Sequence, residues 1–233
     1  MNFMRRAIFG TLFILSIAAV SIAICIAFFL PSRVAVYMAE VWAASVLGLL
    51  RLFGIRYKVE GEMPKPGGHF IVASKHQSAW ETFALHYLFP PAVFMFKKEL
   101  LYVPLGGLAM LKEGSIPVNR GSIGRSGMPG LIEKIRRRLK NRNFVIFPEG
   151  TRTLPGSEPS YKSGIGTIAA GLGDVTIIPV AHNSGRAWPR KGWPSGPGLI
   201  TVRIMPAINT KGMDRNEINA AVQASIEEGM KGL

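Results

Sequence analysis

An imidazole and a carboxylate stand five residues apart in Lys75-His76-Gln77-Ser78-Ala79-Trp80-Glu81. An imidazole held by a carboxylate can pull a proton from an alcohol. No activated serine or cysteine stands out beside the pair, so the chemistry it suggests is activation of a hydroxyl on the substrate. A strand-like run, Phe70 to Ser74, leads straight into His76. Five residues is not a same-face helical spacing. The two side chains can meet only if His76 lies in a turn outside the helix that starts near Glu81 and folds back over it. Glu81 would then fix the ring tautomer and stabilise the imidazolium. In isolation this spacing ordinarily marks a surface histidine near a helix-start carboxylate.

Two arginines strengthen the functional reading. Gly114-Ser115-Ile116-Pro117-Val118-Asn119-Arg120 ends a candidate strand in Arg120, and Phe147-Pro148-Glu149-Gly150-Thr151-Arg152 ends another in Arg152. Sites in open α/β sheets collect at the carboxyl ends of strands, and a guanidinium fork suits a phosphate. Glu149 either binds the free hydroxyl of an acceptor or structures its own turn, since its charge would repel a phosphate. Backbone amides near His76 or near Gly150 are the candidate oxyanion donors. Other chemistries lack their signatures. There is no G-x-S-x-G elbow, no H-E-x-x-H, no Walker A sequence and no zinc-ligand spacing among His69, His86 and His182. Ser78 is expected as a cap or loop residue, and no metal is expected.

These groups need a scaffold. Candidate strands are His69–Ala73, Ala92–Phe96, Ser115–Val118, Asn143–Phe147, Val175–Val180 and Leu199–Met205, several of them continuously apolar as buried parallel strands tend to be. Helices are expected over Ala79–Leu88, Gly130–Leu139, Ile165–Ala170 and Asp214–Met230, the last with Asp214 as N-cap and Glu217 three residues on. The fold class is α/β, a mostly parallel central sheet flanked by helices, with an N-terminal hydrophobic two-helix membrane segment. The expected division is residues 1–56 for the membrane segment and 57–233 for the catalytic domain.

Ala7 to Leu30 carries no charge and is long enough, at ~1.5 Å per residue, to cross a hydrocarbon core of ~30 Å. It ends in Phe28-Phe29-Leu30-Pro31 and not in a small-residue cleavage site, so it reads as a retained anchor. Val34 to Leu50, interrupted by Glu40, is either a second short span or an interfacial helix. Arg5 and Arg6 before the first helix and Arg51, Arg56 and Lys58 after the second put both flanks in the cytoplasm if both helices cross. The net charge of +14 suits anionic phospholipid, an acidic carrier protein or nucleic acid. The apolar N-terminus argues against nucleic acid. The single cysteine, Cys25, allows no internal disulfide. In the basic run Lys134 to Arg142, Leu131, Ile135 and Leu139 recur every four residues. It reads as a solvated helix covering the sheet, with contact to anionic lipid or an acidic carrier as the functional alternative.

Taken in order, His76–Glu81, Gly114–Arg120, Phe147–Arg152 and Ile178-Pro179-Val180 resemble the four motifs of the glycerolipid acyltransferase family, and within it the bacterial membrane enzymes that acylate 1-acylglycerol 3-phosphate. The likeness runs from about Tyr57 to Met205, and the first and third motifs together are highly specific. The resemblance implies transfer of an acyl group from acyl-CoA or acyl-acyl carrier protein to the sn-2 hydroxyl of lysophosphatidic acid, with no permanently bound cofactor. It implies a base at His76 supported by Glu81, where the family usually has aspartate. It also implies acceptor binding by Lys98, Arg120, Glu149, Gly150, Thr151 and Arg152, an apolar fourth motif on the acyl side, and an inner-membrane location with the catalytic domain facing the cytoplasm. Lys75 stands where many members have asparagine. The alternatives are acylation of another lipid hydroxyl, such as glycerol 3-phosphate or a lyso-ornithine lipid, and a basic membrane-binding adaptor without catalysis.

Overall fold

The computed structural model describes residues 3–26, 29, 31–65, 67–102, 106–119, 127–157 and 159–233. Two apolar helices come first, α1 (Phe3–Ile26) and α2 (Ser32–Leu52). Then follow β1 (Ile55–Glu60), β2 (Ile71–Ser74), α3 (Trp80–Leu88), β3 (Ala92–Lys97), α4 (Gly106–Glu113), β4 (Ile116–Val118), α5 (Met128–Leu139) and β5 (Asn143–Ile146). The chain ends with α6 (Gly164–Leu172), β6 (Thr176–His182), β7 (Gly198–Ile204), β8 (Ile208–Asn209) and α7 (Arg215–Met230).

The strands form one sheet in the order β1-β7-β6-β2-β5-β3-β4, with β8 on the β7 side of β6. All neighbours are parallel except β6 with β7 and β6 with β8. This is the mostly parallel, helix-flanked α/β architecture that the residue pattern implies. Each of the six expected strands and four expected soluble helices is present, with ends displaced by a few residues.

Strand alternation sorts the core into two layers. Ile71 and Ala73 point to the side packed by α5, α6 and α7, where Ile135, Ile165, Ile168, Ile218, Val222 and Ile226 lie buried. Phe70 and Val72 point to the side of α1, α2 and α3, with Phe9, Ala43, Leu50, Trp80 and Leu85. The carboxyl ends of the parallel strands β2, β3, β4, β5 and β6 therefore open along one edge between these layers, which is where a site belongs.

Three elements escaped the sequence reading. In β1, Ile55, Tyr57 and Val59 alternate with Arg56, Lys58 and Glu60, an edge-strand pattern in which charge guards the open side. The expected division after residue 56 falls inside this strand. Helix α4 is short and glycine-led, and β8 is two residues long. The α7 cap is as expected: Asp214 Oδ1 accepts the N–H groups of Asn216 and Glu217 at 2.6 and 2.9 Å, and Glu217 accepts the Asp214 N–H at 2.7 Å.

The two N-terminal helices share the core of the soluble part. Phe9 is fully buried against Phe53, Trp188 and Trp193, and Phe13 meets Phe83 edge-on at 5.7 Å. Trp42 of α2 donates its indole N–H to Ser16 of α1 at 3.2 Å. Arg5 lies 6.0 Å over the Phe53 ring, so the basic flanks of the two helices stand at one end of the hairpin.

Candidate active site

At the end of β2, Lys75 donates its N–H to the Val180 carbonyl of β6 and accepts the His182 Nε2 proton on its own carbonyl at 2.8 Å. Burial lowers the pKa of His182, opposed by the nearby Glu81 carboxylate. The chain then leaves the sheet. Continued alternation sends the Lys75 side chain toward α7 and His76 toward α3.

Glu81, in the first turn of α3, reaches back to this turn. Its Oε1 lies 2.8 Å from His76 Nδ1 and accepts the N–H groups of Gln77 and Ser78 at 2.9 and 2.8 Å. Its Oε2 accepts the hydroxyls of Ser78 and Ser184 at 2.6 and 2.9 Å. Burial would raise the Glu81 carboxyl. The His76 hydrogen bond, the His182 and His76 charges and the Ser78 hydroxyl overcome it and hold the pKa at about 2. A carboxylate at Nδ1 fixes the proton there and leaves Nε2 as the basic nitrogen. The additional methylene of glutamate over aspartate is accommodated by the helix start. Ser78 also accepts the Trp80 N–H at 2.9 Å, the capping role expected of it.

The ring of His76 lies on Phe147, with centroids 4.0 Å apart and planes 14° apart. Its backbone is held just as closely. Glu149 Oε2 accepts the His76 N–H at 3.1 Å, and Thr153 donates its N–H to the His76 carbonyl at 2.8 Å. The third-motif turn thus clamps the first-motif turn by main-chain bonds. Burial pushes the Glu149 carboxyl up to about 7, opposed by the Lys75 ammonium 3.1 Å away and by hydrogen bonds from the His76 N–H and Thr153.

His76 opens onto a cavity of about 600 Å³, within the ~300–1,000 Å³ span of small-molecule sites. One part of its wall is apolar: Ile17 and Val20 of α1, Ala39 and Trp42 of α2, Phe83 of α3, Phe94 and Phe96 of β3. The rim carries cations, namely Lys97, Arg152, Arg190 and Lys191. Arg152 Nη1 reaches the Arg190 carbonyl at 3.4 Å, which joins the third-motif turn to the loop after β6. Buried polar groups also line the cavity. Glu113 accepts the Ser115 hydroxyl at 2.6 Å and faces His86 Nε2 at 3.9 Å. Burial raises the Glu113 carboxyl to about 7 and lowers His86 to about 4.

The expected site residues therefore fall into groups. His76, Thr151 and Arg152 line the cavity. Glu81 and Glu149 stand behind it and hold the catalytic turn. Glu149 directs its carboxylate to His76, Thr153 and Lys75 and does not line the cavity. Gly150 lines a smaller neighbouring cavity, and its φ of +69° is the left-handed conformation that the turn requires. Lys98 does not line the cavity, whereas its neighbour Lys97 does. Strand β3 ends at Lys97, and the 3-10 turn Lys98–Tyr102 carries Lys98 out into solvent, off the cavity wall. Arg120 lies outside the described residues. The amides of His76, Gln77, Ser78 and Gly150 are all engaged within the turns. Among the described residues the Thr151 and Arg152 amides bordering the cavity make no hydrogen bond. No group of three or more His, Cys, Asp or Glu side chains is placed to hold a metal, again among the described residues.

Sequence reasoning missed Phe147 as a support for the ring, Ser184 as a ligand of Glu81, and Arg190 and Lys191 on the rim. Ser184, Arg190 and Lys191 follow the end of β6, so the strand-end rule nominates that loop, but nothing in its composition singles these residues out. The arginines of α5 have ordinary partners. Arg136 caps α6 through the Gly171 and Leu172 carbonyls, Arg137 pairs with Glu133, and Arg138 holds the Gly114 carbonyl.

Comparison with known proteins agrees with this arrangement. The structure superposes on the crystal structure of the 1-acyl-sn-glycerophosphate (LPA) acyltransferase PlsC from Thermotoga maritima with a TM-score of 0.80 at 24% identity, covering 99% of this chain and 97% of that one. The chain is 36% identical over 199 residues to the 1-acyl-sn-glycerol-3-phosphate acyltransferase of Pseudomonas aeruginosa, covering 83% of this chain and 77% of the relative. It is 29% identical over 175 residues to the 1-acyl-sn-glycerol-3-phosphate acyltransferase alpha of mouse, covering 72% of this chain and 60% of the relative. The model of the family described as Acyltransferase matches residues 56–183, a stretch that contains His76, Glu81, the third-motif clamp and the His182 that anchors the catalytic turn. With His76, Glu81 and the clamp all inside that match, the chain belongs to the acyltransferase family.

Proposed function

We propose that the protein transfers a fatty acyl group from an acyl thioester to the sn-2 hydroxyl of 1-acylglycerol 3-phosphate, forming phosphatidic acid. One observation carries the reading: a carboxylate-held imidazole opens onto a cavity that is apolar toward α1, α2 and α3 and cationic at its rim. A lipid phosphate needs both properties, with hydrocarbon on one side and charge-paired donors on the other. The relatives' names point to the same acceptor.

His76 Nε2 takes the hydroxyl proton as the oxygen attacks the thioester carbonyl. Glu81 stabilises the imidazolium through Nδ1. The tetrahedral intermediate collapses with cleavage of the carbon–sulfur bond, and the thiolate receives the proton from Nε2. The amides of Thr151 and Arg152 are the candidate oxyanion donors. The acceptor phosphate sits among Arg152, Arg190, Lys191 and Lys97, and Arg120 of the second motif, outside the described residues, is a further candidate partner by its motif position alone. Acyl-CoA and acyl-acyl carrier protein are the candidate donors, and the excess of positive charge suits either.

The apolar side of the protein is the membrane contact. Phe3, Ile8, Leu12, Leu15 and Ile22 of α1 and Tyr37 and Val41 of α2 are exposed, and Leu100, Tyr102, Leu108 and Leu111 extend this surface over α4 and the turn before it. A cytoplasmic face of the inner membrane places the donors and the basic helix ends on one side.

Purified protein assayed with two donors against 1-acylglycerol 3-phosphate, glycerol 3-phosphate and a lyso-ornithine lipid tests the reading. Phosphatidic acid as the main product supports it. Turnover confined to a non-phosphate acceptor, or none with any pair, overturns it.

A further inference from the structure

Directly behind the catalytic turn lies a buried ammonium. Lys75 is 1% exposed, a burial that a lysine tolerates only when paired. Its Nζ stands 2.7 Å from Glu227 Oε1 of α7 and 3.1 Å from Glu149 Oε1, and 5.7 Å from the centroid of the Tyr161 ring. The Tyr161 hydroxyl donates to the same Glu227 oxygen at 2.7 Å. The other oxygen of Glu149 receives the His76 N–H. A continuous path therefore runs from the C-terminal helix through Glu227, Lys75 and Glu149 to the backbone of the proposed base, and its outer end lies beyond the family match at 56–183.

We propose that Lys75 and Glu227 are positioning residues: the ammonium, anchored by Glu227 and Tyr161, favours the carboxylate form of Glu149, and that carboxylate holds the His76 turn so that its imidazole faces the cavity. The assignment rests on the acyl-transfer reading for its kinetic consequences, but not for its structural ones. Groups facing Glu149 come from every element around it: Lys75 and His76 from the turn after β2, Thr153 from its own turn, Tyr161 from the segment before α6, and Glu227 from α7. Among the described residues the contacts that favour the carboxylate are the Lys75 ammonium and the donors on His76 and Thr153. Removing the ammonium leaves burial and the charge of Glu227, both of which favour protonation. A protonated Glu149 holds the His76 N–H less strongly.

The test compares Lys75→Met, Lys75→Arg, Glu227→Gln and Lys75→Met/Glu149→Gln with wild type. Turnover against pH and hydrogen exchange of the peptide covering residues 74–78 are both measured. Lys75→Met should lower kcat by roughly tenfold or more while leaving the acceptor KM within about twofold, and move the acid limb of the kcat profile up by about one pH unit. Lys75→Arg should restore most of the activity. The Lys75→Met/Glu149→Gln variant should lose little more than Lys75→Met alone, because the two act through one contact. Exchange at residues 74–78 should rise in both single variants that weaken the path, with the rest of the sheet unchanged. If Lys75→Met does not fold, Glu227→Gln decides, since that carboxylate is at the half-exposed end; it should show the same changes at a few-fold size. A wild-type pH profile and wild-type exchange in either variant overturns the assignment, as does a uniform loss at all pH values that arginine does not rescue. An inactive wild type in which exchange still rises locally would defeat the acyl-transfer reading and leave the positioning role standing.

Discussion

The imidazole of His76 lies flat against Phe147, 4.0 Å between centroids, while Nδ1 is held by Glu81 at 2.8 Å. One contact fixes the plane of the ring and the other its rotation, so Nε2 has one direction left. A stack of this kind is worth about 0.5–1.5 kcal/mol. Phe147→Leu should therefore lower kcat by roughly two- to tenfold with the fold intact. Steady-state kinetics beside a thermal melt checks this, and an unchanged kcat would show that the stack does not orient the base.

Glu81 acts through charge and reach together. Glu81→Gln keeps the size but removes the carboxylate that holds the Nδ1 proton and stabilises the imidazolium, and should cost about 100-fold or more in kcat. Glu81→Asp retains the charge but retracts it by one methylene from His76, Ser78 and Ser184 together. It should fall between wild type and Glu81→Gln. Equal activity in all three would mean that the carboxylate serves only the helix start.

The rim cations should govern acceptor affinity. Arg152→Ala removes a charge-assisted contact of about 1.5–3 kcal/mol and should raise the acceptor KM by roughly 10- to 100-fold. Arg190→Ala and Lys191→Ala should each raise it less, because both side chains are more exposed and more strongly screened. Lys98→Ala should leave it unchanged, since Lys98 is exposed and does not line the cavity. Titrating the acceptor at fixed donor concentration reads all four, and a larger effect at Lys98 than at Arg152 would misplace the phosphate site.

Glu113 makes a prediction about stability. Its folded pKa, about 7, lies above the unfolded value near 4.3. The folded state therefore binds more protons in between, and stability contributed by this group is full below about pH 4 and is lost as the pH rises through 7. Glu113→Gln removes that loss and can still accept the Ser115 hydroxyl. Its midpoint of unfolding should exceed that of wild type at pH 8 and match it near pH 4.5. The difference is on the order of a few kcal/mol. Thermal melts at the two pH values read it, and a variant less stable than wild type at pH 8 would contradict the assignment.

Much of this molecule is legible in the chain because strand ends and motif residues coincide. His76, Glu81 and Arg152 stand out by residue type and by their place near the ends of apolar strands, and Thr151 only by its motif; His76, Thr151 and Arg152 come together on one cavity wall. Lys98 lies one residue beyond β3, whose last residue, Lys97, pairs with Val118 of β4, a strand end that no local pattern reports. Glu149 looked like a substrate ligand from its motif, yet it supports the main chain of a residue far away in sequence. Phe147, Ser184, Arg190 and Glu227 are ordinary residues locally, and only the packing of α7 and of the loop after β6 against the β2 turn gives them a role. Helix α1 reads as a membrane anchor and α2 as a second span or an interfacial helix; the docking of Phe9 and Phe13 on Trp188 and Trp193 is not legible, because the loop that carries those tryptophans gives no sequence sign of a partner.

The most direct measurement is acyl transfer to 1-acylglycerol 3-phosphate by His76→Ala, purified in parallel with wild type and shown by its melt to be folded. Loss of the general base should lower kcat by roughly 100- to 10,000-fold. A folded His76→Ala protein that forms phosphatidic acid at the wild-type rate would contradict the account.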